Sequence, residues 1–303
     1  MTWFWLALLS AGSNGVVSVI DKMVVERLLR DRWSFPFFIA FFLGLYAIAL
    51  LAVRGALGLF RLPAAPVLAV ALLPGILHYL SAVLYTRALL LTDAATVAAL
   101  IQTTPLFSVV WGRLVFGEVF HLGSYAGIVL TVVCCALLSM GERSGARRVL
   151  NPVLLITLAG AALRSLGDLC VKVTLVGQDY WNTLGLSRAA LLPIAAVLLV
   201  HGDHRRLIGQ ALRIRGAVVV PGMAVLELLA IVPLVLSTIA YALGPLALVS
   251  GVRYTTPLFV LVLTLALNRL WGGFVPEPPG RGGVLRRAAL TAGILGGVVM
   301  MGT

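Results

Sequence analysis

Arg164, Asp168 and Lys172 stand four residues apart inside the apolar run 152–174. On a helix that spacing holds them within roughly 80° of one another, so they share a face. An ionisable side chain near the middle of a bilayer costs on the order of 2.5–3.5 kcal/mol, and such a face must turn inward to partners. Glu227, Arg188 and Arg253 lie about ten, seven and seven residues into three other apolar runs, which at 1.5 Å per residue is roughly 10–15 Å deep. The set holds four cations, Arg164, Lys172, Arg188 and Arg253, against two carboxylates, Asp168 and Glu227, leaving two positive charges in excess. An anionic or zwitterionic solute would complete it. The plainer alternative is that these charges pair with one another and with backbone carbonyls to hold helices together. Asp168 and Glu227 are also the candidate proton carriers. Desolvation opposes the charge of a buried carboxylate, a nearby guanidinium favours it, and a bound solute can tip that balance.

Neutral polar residues join the set. Pro105 and Pro257 lie inside apolar runs, where a proline frees a backbone carbonyl and bends the helix, tolerable only against protein or a water-filled cavity. Gln102, Thr103, Tyr254 and Thr255, immediately before the two bends, are expected to line a central pocket. Otherwise both prolines are packing kinks, the reading that also suits Pro74, Pro193, Pro221 and Pro233. Ser13, Asn14, Tyr85 and Tyr241 are candidate hydrogen-bond donors to solute, with interfacial anchoring the alternative for the two tyrosines. His78, alone inside the run 65–90, is either a proton shuttle or a packing residue. No Gly-rich loop after a strand, Walker loop, HExxH or Cys/His metal set occurs, so no cofactor, ATP-driven pump or metalloenzyme is indicated.

The elements that must position these residues follow from composition. Hydrophobic residues make up 61% and charged residues 11% of the 303, with a mean hydropathy of +1.06. A soluble domain carries about 25% charge and could not hide that much apolar surface. Runs of about twenty apolar residues are the length that a helix needs to cross a ~30 Å core. Ten are expected, near 2–23, 35–53, 65–90, 94–116, 122–140, 152–174, 181–200, 217–242, 246–270 and 286–302. The first lacks a basic leader and reads as a span rather than a cleaved signal. Five of the six tryptophans, Trp3, Trp5, Trp33, Trp181 and Trp271, fall at span ends, as interfacial rings do. The links 201–215 and 275–283 read as solvated loops. Cys134, Cys135 and Cys170 all lie in apolar runs and read as packing residues. Small residues at 159–162 and at Gly293, Gly296 and Gly297 allow close helix contact, within the chain or across a homodimer seam. The net charge of +12 is scattered over short links, which suits membrane topology and not a nucleic-acid partner.

Thr103-Thr104-Pro105-Leu106-Phe107 recurs 152 positions later as Thr255-Thr256-Pro257-Leu258-Phe259, half the chain away. Ser81 and Tyr85 recur as Ser237 and Tyr241, Lys22 as Lys172, and Asn14 aligns with Arg164 in the same register. Two five-span halves, 1–148 and 149–303, follow. Because five is odd, the second half enters the membrane from the opposite side, giving inverted repeats. Thirteen arginines, among them Arg27, Arg143, Arg205 and Arg281, fall on links of one side, against Arg54 and Arg61 on the other. The positive-inside rule makes the heavy side cytoplasmic and places both termini outside.

The stretch Tyr85-Thr86-Arg87-Ala88-Leu89 to Ala94, then Gln102 to Phe107, ending at Gly117-Glu118, resembles the EamA module of the drug/metabolite transporter superfamily. Ser13-Asn14 and Asp21-Lys22 resemble its polar first helix, and Tyr254 to Phe259 repeats the bend in the second half. The resemblance implies an all-α polytopic protein of ten helices in two inverted repeats, a central cavity and alternating access, with no particular solute. Two features depart from the family. Asn268-Arg269 stands where a second Gly-Glu is expected, and the arginine count opposes the cytoplasmic termini of many members. The expected function is a secondary active transporter of a small polar metabolite across the cell inner membrane, proton-coupled or exchanging, with solute and membrane lipids as partners, as monomer or homodimer. The first rival is a lipid flippase with a cationic groove, and the second a membrane enzyme or receptor.

Overall fold

The computed structural model describes residues 2–27, 34–89, 91, 97, 100–139, 152–200, 202–271 and 281–302. Twelve helices of eight or more residues account for nearly all of them, and no strand occurs among the described residues. They are α1 Thr2–Arg27, α2 Ser34–Ala56, α3 Ala65–Leu89, α4 Thr104–Phe116, α5 Leu122–Ser139 and α6 Pro152–Thr174. After them come α7 Tyr180–Ala189, α8 Leu191–Val200, α9 Gly202–Leu243, α10 Leu246–Arg253, α11 Thr256–Trp271 and α12 Arg281–Gly302. Seven stretches among the described residues are long and apolar enough to cross a bilayer: 2–21, 34–56, 65–88, 153–174, 180–200, 216–243 and 246–267. In hydrocarbon every backbone polar group must be satisfied within the segment, and the helix does this. Large apolar side chains such as Leu62, Leu114, Leu122 and Val200 are exposed on the outside, where lipid rather than water suits them.

Two large apolar cores hold the bundle, beside a small third cluster of Ala88, Val97 and Val153. One gathers Ile128, Val132 and Cys135 of α5, Leu169 of α6, Val249 and Val252 of α10, and Ile294 and Val298 of α12. The other gathers Phe37, Phe38 and Phe42 of α2, Leu191 and Ala195 of α8, and Val219, Met223 and Leu226 of α9. The main helix pairs are α1 with α9, α3 with α6, α1 with α11, α4 with α6, α2 with α7 and α8, α4 with α10, and α5 with α12. The three cysteines are buried thiols.

Three features differ from the sequence expectation. The link 201–215 is not a loop: from Gly202 it is the first part of the 42-residue α9. Leu207 and Ile208 turn inward, with Ile208 in the second core, while Arg205, Arg206 and Arg213 stay outside. An apolar pair among arginines suffices for an amphipathic helix docked on one side. The seventh predicted span is two helices, broken at Ala190. Pro193 explains the break, having no N–H to give the Ala189 carbonyl and crowding it. The link 275–283 is helical from Arg281; residues 275–280, like 140–150, lie outside the described set. Lys22 lies in α1, but its side chain is outside the described set.

Of the glycines expected to permit close approach, Gly293 and Gly297 face α5 of the same chain. A Cβ at Gly127 would meet the Gly297 carbonyl oxygen at 2.7 Å, and one at Gly293 would meet Cys134 Sγ at 2.5 Å, whereas Gly123 and Gly296 open onto space. A side chain at Gly127 must therefore push α12 away. Gly127→Leu is expected to destabilise the protein by about 1–3 kcal/mol, seen as a lower thermal midpoint in detergent, while Gly123→Leu leaves the midpoint unchanged.

Candidate functional site

Asp168 of α6 is 1% exposed, and the other charges gather around it. Its Oδ1 accepts a hydrogen bond from Arg253 Nη1 at 3.0 Å, and His78 Nε2 lies 3.3 Å from the same oxygen. Asp168 Oδ2 has no hydrogen-bond partner. Arg253 is the last residue of α10, and its Nη1 also donates to the Tyr241 hydroxyl at 3.3 Å, with the guanidinium 5.9 Å from the centre of that ring. His78 enters from α3 into a seat provided by Gly167, where a methyl group would meet Nε2 at 2.6 Å. Its Nδ1 lies 3.1 Å from Arg188 Nη1 of α7, and its Nε2 lies 3.2 Å from the Arg164 carbonyl oxygen. The buried Nε of Arg188 has no partner. Arg164, one turn before Asp168, is exposed and in electrostatic range of Asp168, His78, Arg188, Tyr85 and Tyr254. Its guanidinium has no hydrogen bond or ion pair to any described residue. Three guanidiniums thus surround one carboxylate, and the cluster carries two unmatched positive charges.

The two repeated bends share one local device. Pro105 cannot donate to the carbonyl of Ile101, and the Thr104 hydroxyl donates to it instead at 2.6 Å. Pro257 likewise leaves the Arg253 carbonyl free, and the Thr256 hydroxyl donates to it at 3.1 Å. Thr103 and Thr255 each turn their hydroxyls onto the carbonyl three residues back, Leu100 and Val252, at 2.7 Å. These threonines replace the donors that proline removes.

Below the bends three buried serines from three helices meet. Ser108 of α4 bonds Ser165 of α6 at 2.8 Å and donates to Ser250 of α10 at 3.0 Å. Farther along α6, Lys172 donates to Glu118 Oε1 at 2.7 Å and to the Gly244 carbonyl at 2.9 Å, and it lies 4.9 Å from the Phe116 ring centre. The same carboxylate accepts the backbone N–H of Leu246 at 2.7 Å and of Ala247 at 3.3 Å. It caps α10 at the end where the helix dipole favours an anion. Gly117, at φ +65°, ends α4 in the left-handed region that favours glycine, and this turns Glu118 back beside Gly112.

The expected site residues therefore divide. Arg164, Asp168, Arg253, Tyr241, Tyr254 and Tyr85 come together, joined by Arg188 and His78. Asn14 is exposed on α1 and reaches the Thr256 hydroxyl at 3.4 Å; Ser13 is half-buried beside it. Gln102 is buried at the first bend, its Oε1 without a partner. Thr103 and Thr255 serve the backbone, and Thr255 is fully buried. Lys172 leaves the cluster for Glu118. Glu227, 3% exposed, lies instead within electrostatic reach of Asp21 of α1 and Tyr46 of α2, and Tyr46 donates to the Ala224 carbonyl at 2.8 Å. Among the described residues no three His, Cys, Asp or Glu side chains are grouped to hold a metal.

Residues 1–140 match the EamA-like transporter family. No curated protein matches the chain in sequence. Among solved structures, 24 chains match. One, described only as "Crystal structure of protein", has a TM-score of 0.61 at 17% identity, covering 98% of this chain and 94% of its own. That likeness shows a shared fold over almost the whole length. The chain is a multi-pass membrane protein whose first 140 residues are similar to the EamA-like transporter family, and Glu118, inside that matched stretch, caps a helix that lies outside it.

Removing Glu118 strands the Lys172 ammonium and two N–H groups of α10. Glu118→Ala is expected to cost about 3 kcal/mol or more in denaturant titration in detergent micelles. Lys172→Met, which leaves the carboxylate on its two N–H donors, is expected to cost roughly half of that or less.

Proposed function

We propose that this protein is a secondary transporter that carries a small anionic solute across the cell membrane by alternating access, with the solute held at Arg164 between two inverted five-helix repeats, 1–148 and 149–303. The reading rests on one observation: three guanidiniums gather around one carboxylate, and the Arg164 guanidinium has no partner among the described residues. An exposed cation on a spanning helix must face a water-filled cavity or an anion, and a solute carboxylate or phosphate supplies the counter-charge with charge-assisted hydrogen bonds. Tyr85 and Tyr254 flank Arg164, while Asn14 and Gln102 offer neutral contacts from the first half. Asp168 holds Arg253 and is not itself available to an anion.

The packing supports two repeats related by an in-plane axis. The α1–α9 pair is answered by α6–α3, and the contact of α1 with α10 and α11 by that of α6 with α4. The pairs α2 with α7–α8 and α5 with α12 match themselves under the same exchange. Among the described residues, counting the interrupted helices as single spans gives the ten that this reading requires, and the reading puts the arginine-rich links on the cytoplasmic side.

A thermal-shift screen of purified protein against carboxylates, phosphate monoesters, neutral sugars and amines tests this, because a bound solute stabilises the folded state by mass action. Only anions are expected to raise the midpoint, and Arg164→Gln is expected to weaken the best of them about 10–100-fold. Stabilisation by neutral or cationic compounds alone would overturn the reading.

A further inference from the structure

The three neighbours of the His78 ring fix its tautomer. Nδ1 faces Arg188 Nη1 at 3.1 Å, and a guanidinium donates only, so Nδ1 must be the acceptor. Nε2 faces two acceptors, Asp168 Oδ1 at 3.3 Å and the Arg164 carbonyl at 3.2 Å, so the ring hydrogen sits there. His78 is thus held neutral, with its lone pair given to Arg188. A second proton at Nδ1 would set an N–H against an N–H of Arg188 and add a third unmatched positive charge to the cluster. An anion entering between them removes both objections, because one of its oxygens accepts from Nδ1–H and another from Arg188, whose buried Nε is already without a partner.

We propose that His78 is the proton-coupling residue of the transporter: an anion bound at Arg164 and Arg188 displaces the Arg188–His78 hydrogen bond and brings one proton onto His78 Nδ1, so that anion and proton bind together. This rests on the anionic solute proposed above. The charged and titratable groups around the ring are Arg164 and Asp168 of α6, Arg188 of α7, Arg253, Tyr241 and Tyr254 beyond Asp168, and Tyr79 and Tyr85 of α3 itself; α8, which also packs on α3, carries none. Of these, His78 alone has an ordinary titration range between about pH 5 and 8. Asp168, the earlier candidate, has its partnered oxygen engaged by Arg253 and His78 together, and Glu227 lies outside the cluster. The step is a proton transfer without other bond rearrangement: one proton, given up by hydronium or a buffer acid of the bulk solution, joins the Nδ1 lone pair, and Nε2–H stays on Asp168. Anion and proton would travel as a pair, reducing the charge moved by one.

The test uses sulfate and oxalate, whose charges are fixed across most of that pH range, titrated calorimetrically into detergent-purified protein in two buffers of different ionisation heat. Wild-type protein is expected to take up about one proton per anion bound near neutral pH, with affinity rising up to about tenfold per unit of acidification. His78→Gln should bind with no proton uptake and no slope. Gly167→Ala, which keeps His78 but pushes its ring from the seat, should bind with uptake reduced at least twofold, and serves if His78→Gln does not fold. Absence of binding by wild-type protein between about pH 5 and 8 would overturn the anion reading and this coupling with it. Binding without proton uptake, or uptake that survives both variants, would overturn the coupling alone.

Discussion

The hydrogen-bonded ion pair of Asp168 with Arg253 is the interaction on which the interior of this bundle depends. Neither charge can remain in hydrocarbon alone, and breaking such a buried pair costs on the order of 3–5 kcal/mol. The pair therefore holds α6 against α10, and through the Tyr241 hydroxyl it fixes the end of α9 as well. Because Arg253 ends α10 where the chain turns toward Pro257, the same residue presents its side chain to Asp168 and its carbonyl to Thr256. Charge pairing and helix breaking are joined at one position. His78 can approach Asp168 only because residue 167 has no side chain.

The proposed repeats share a backbone device and differ in chemistry. At both bends a threonine hydroxyl occupies the place of the amide that proline lacks, with the same partners in the same order. Nothing comparable holds for the charges. In the register that pairs Asn14 with Arg164, Asp168 is matched by Ser18, and in the register of the TTPLF repeats Arg253 is matched by Ile101. Under the proposed alternating access, a symmetric scaffold thus carries a lopsided charge distribution. A solute held mostly by residues of the second half can keep its partners while the halves move past one another.

Much of this was legible in the sequence, because hydropathy alone locates segments that must cross a membrane and the duplicated TTPLF motif marks both bends. The convergence of Arg164, Asp168 and Arg253 was legible too, since three costly charges must meet something. What escaped notice depends on helix rotation and on contacts far apart in the chain. Lys172 is in register with Asp168 but near the end of α6, where Glu118, 54 residues earlier, reaches it; nothing local foretells that pairing. Glu227 has the depth expected of a site residue, yet its direction around α9 takes it toward Asp21 and Tyr46. His78 looked like a lone histidine because its partners come from α6 and α7, and the glycine that admits it belongs to another helix. The stretch 202–215 looked like a loop because its arginines outnumber the few apolar residues that dock it.

The contrast between Lys172 and Arg164 separates what holds the fold from what serves the solute. Lys172 has a carboxylate, a carbonyl and an aromatic face, and its partner Glu118 is in turn capped onto two amides. Such a closed set is complete without any ligand. Arg253 is nearly as complete, with Asp168 and Tyr241. Arg188 has only a neutral imidazole nitrogen, and Arg164 has no partner among the described residues. A bundle that needed only a tether would be served by the Arg253–Asp168 pair, and the partly buried Arg188 guanidinium would only burden it. The completeness of one cation set and the incompleteness of the other, eight residues apart on the same helix, are what the proposed solute site rests on.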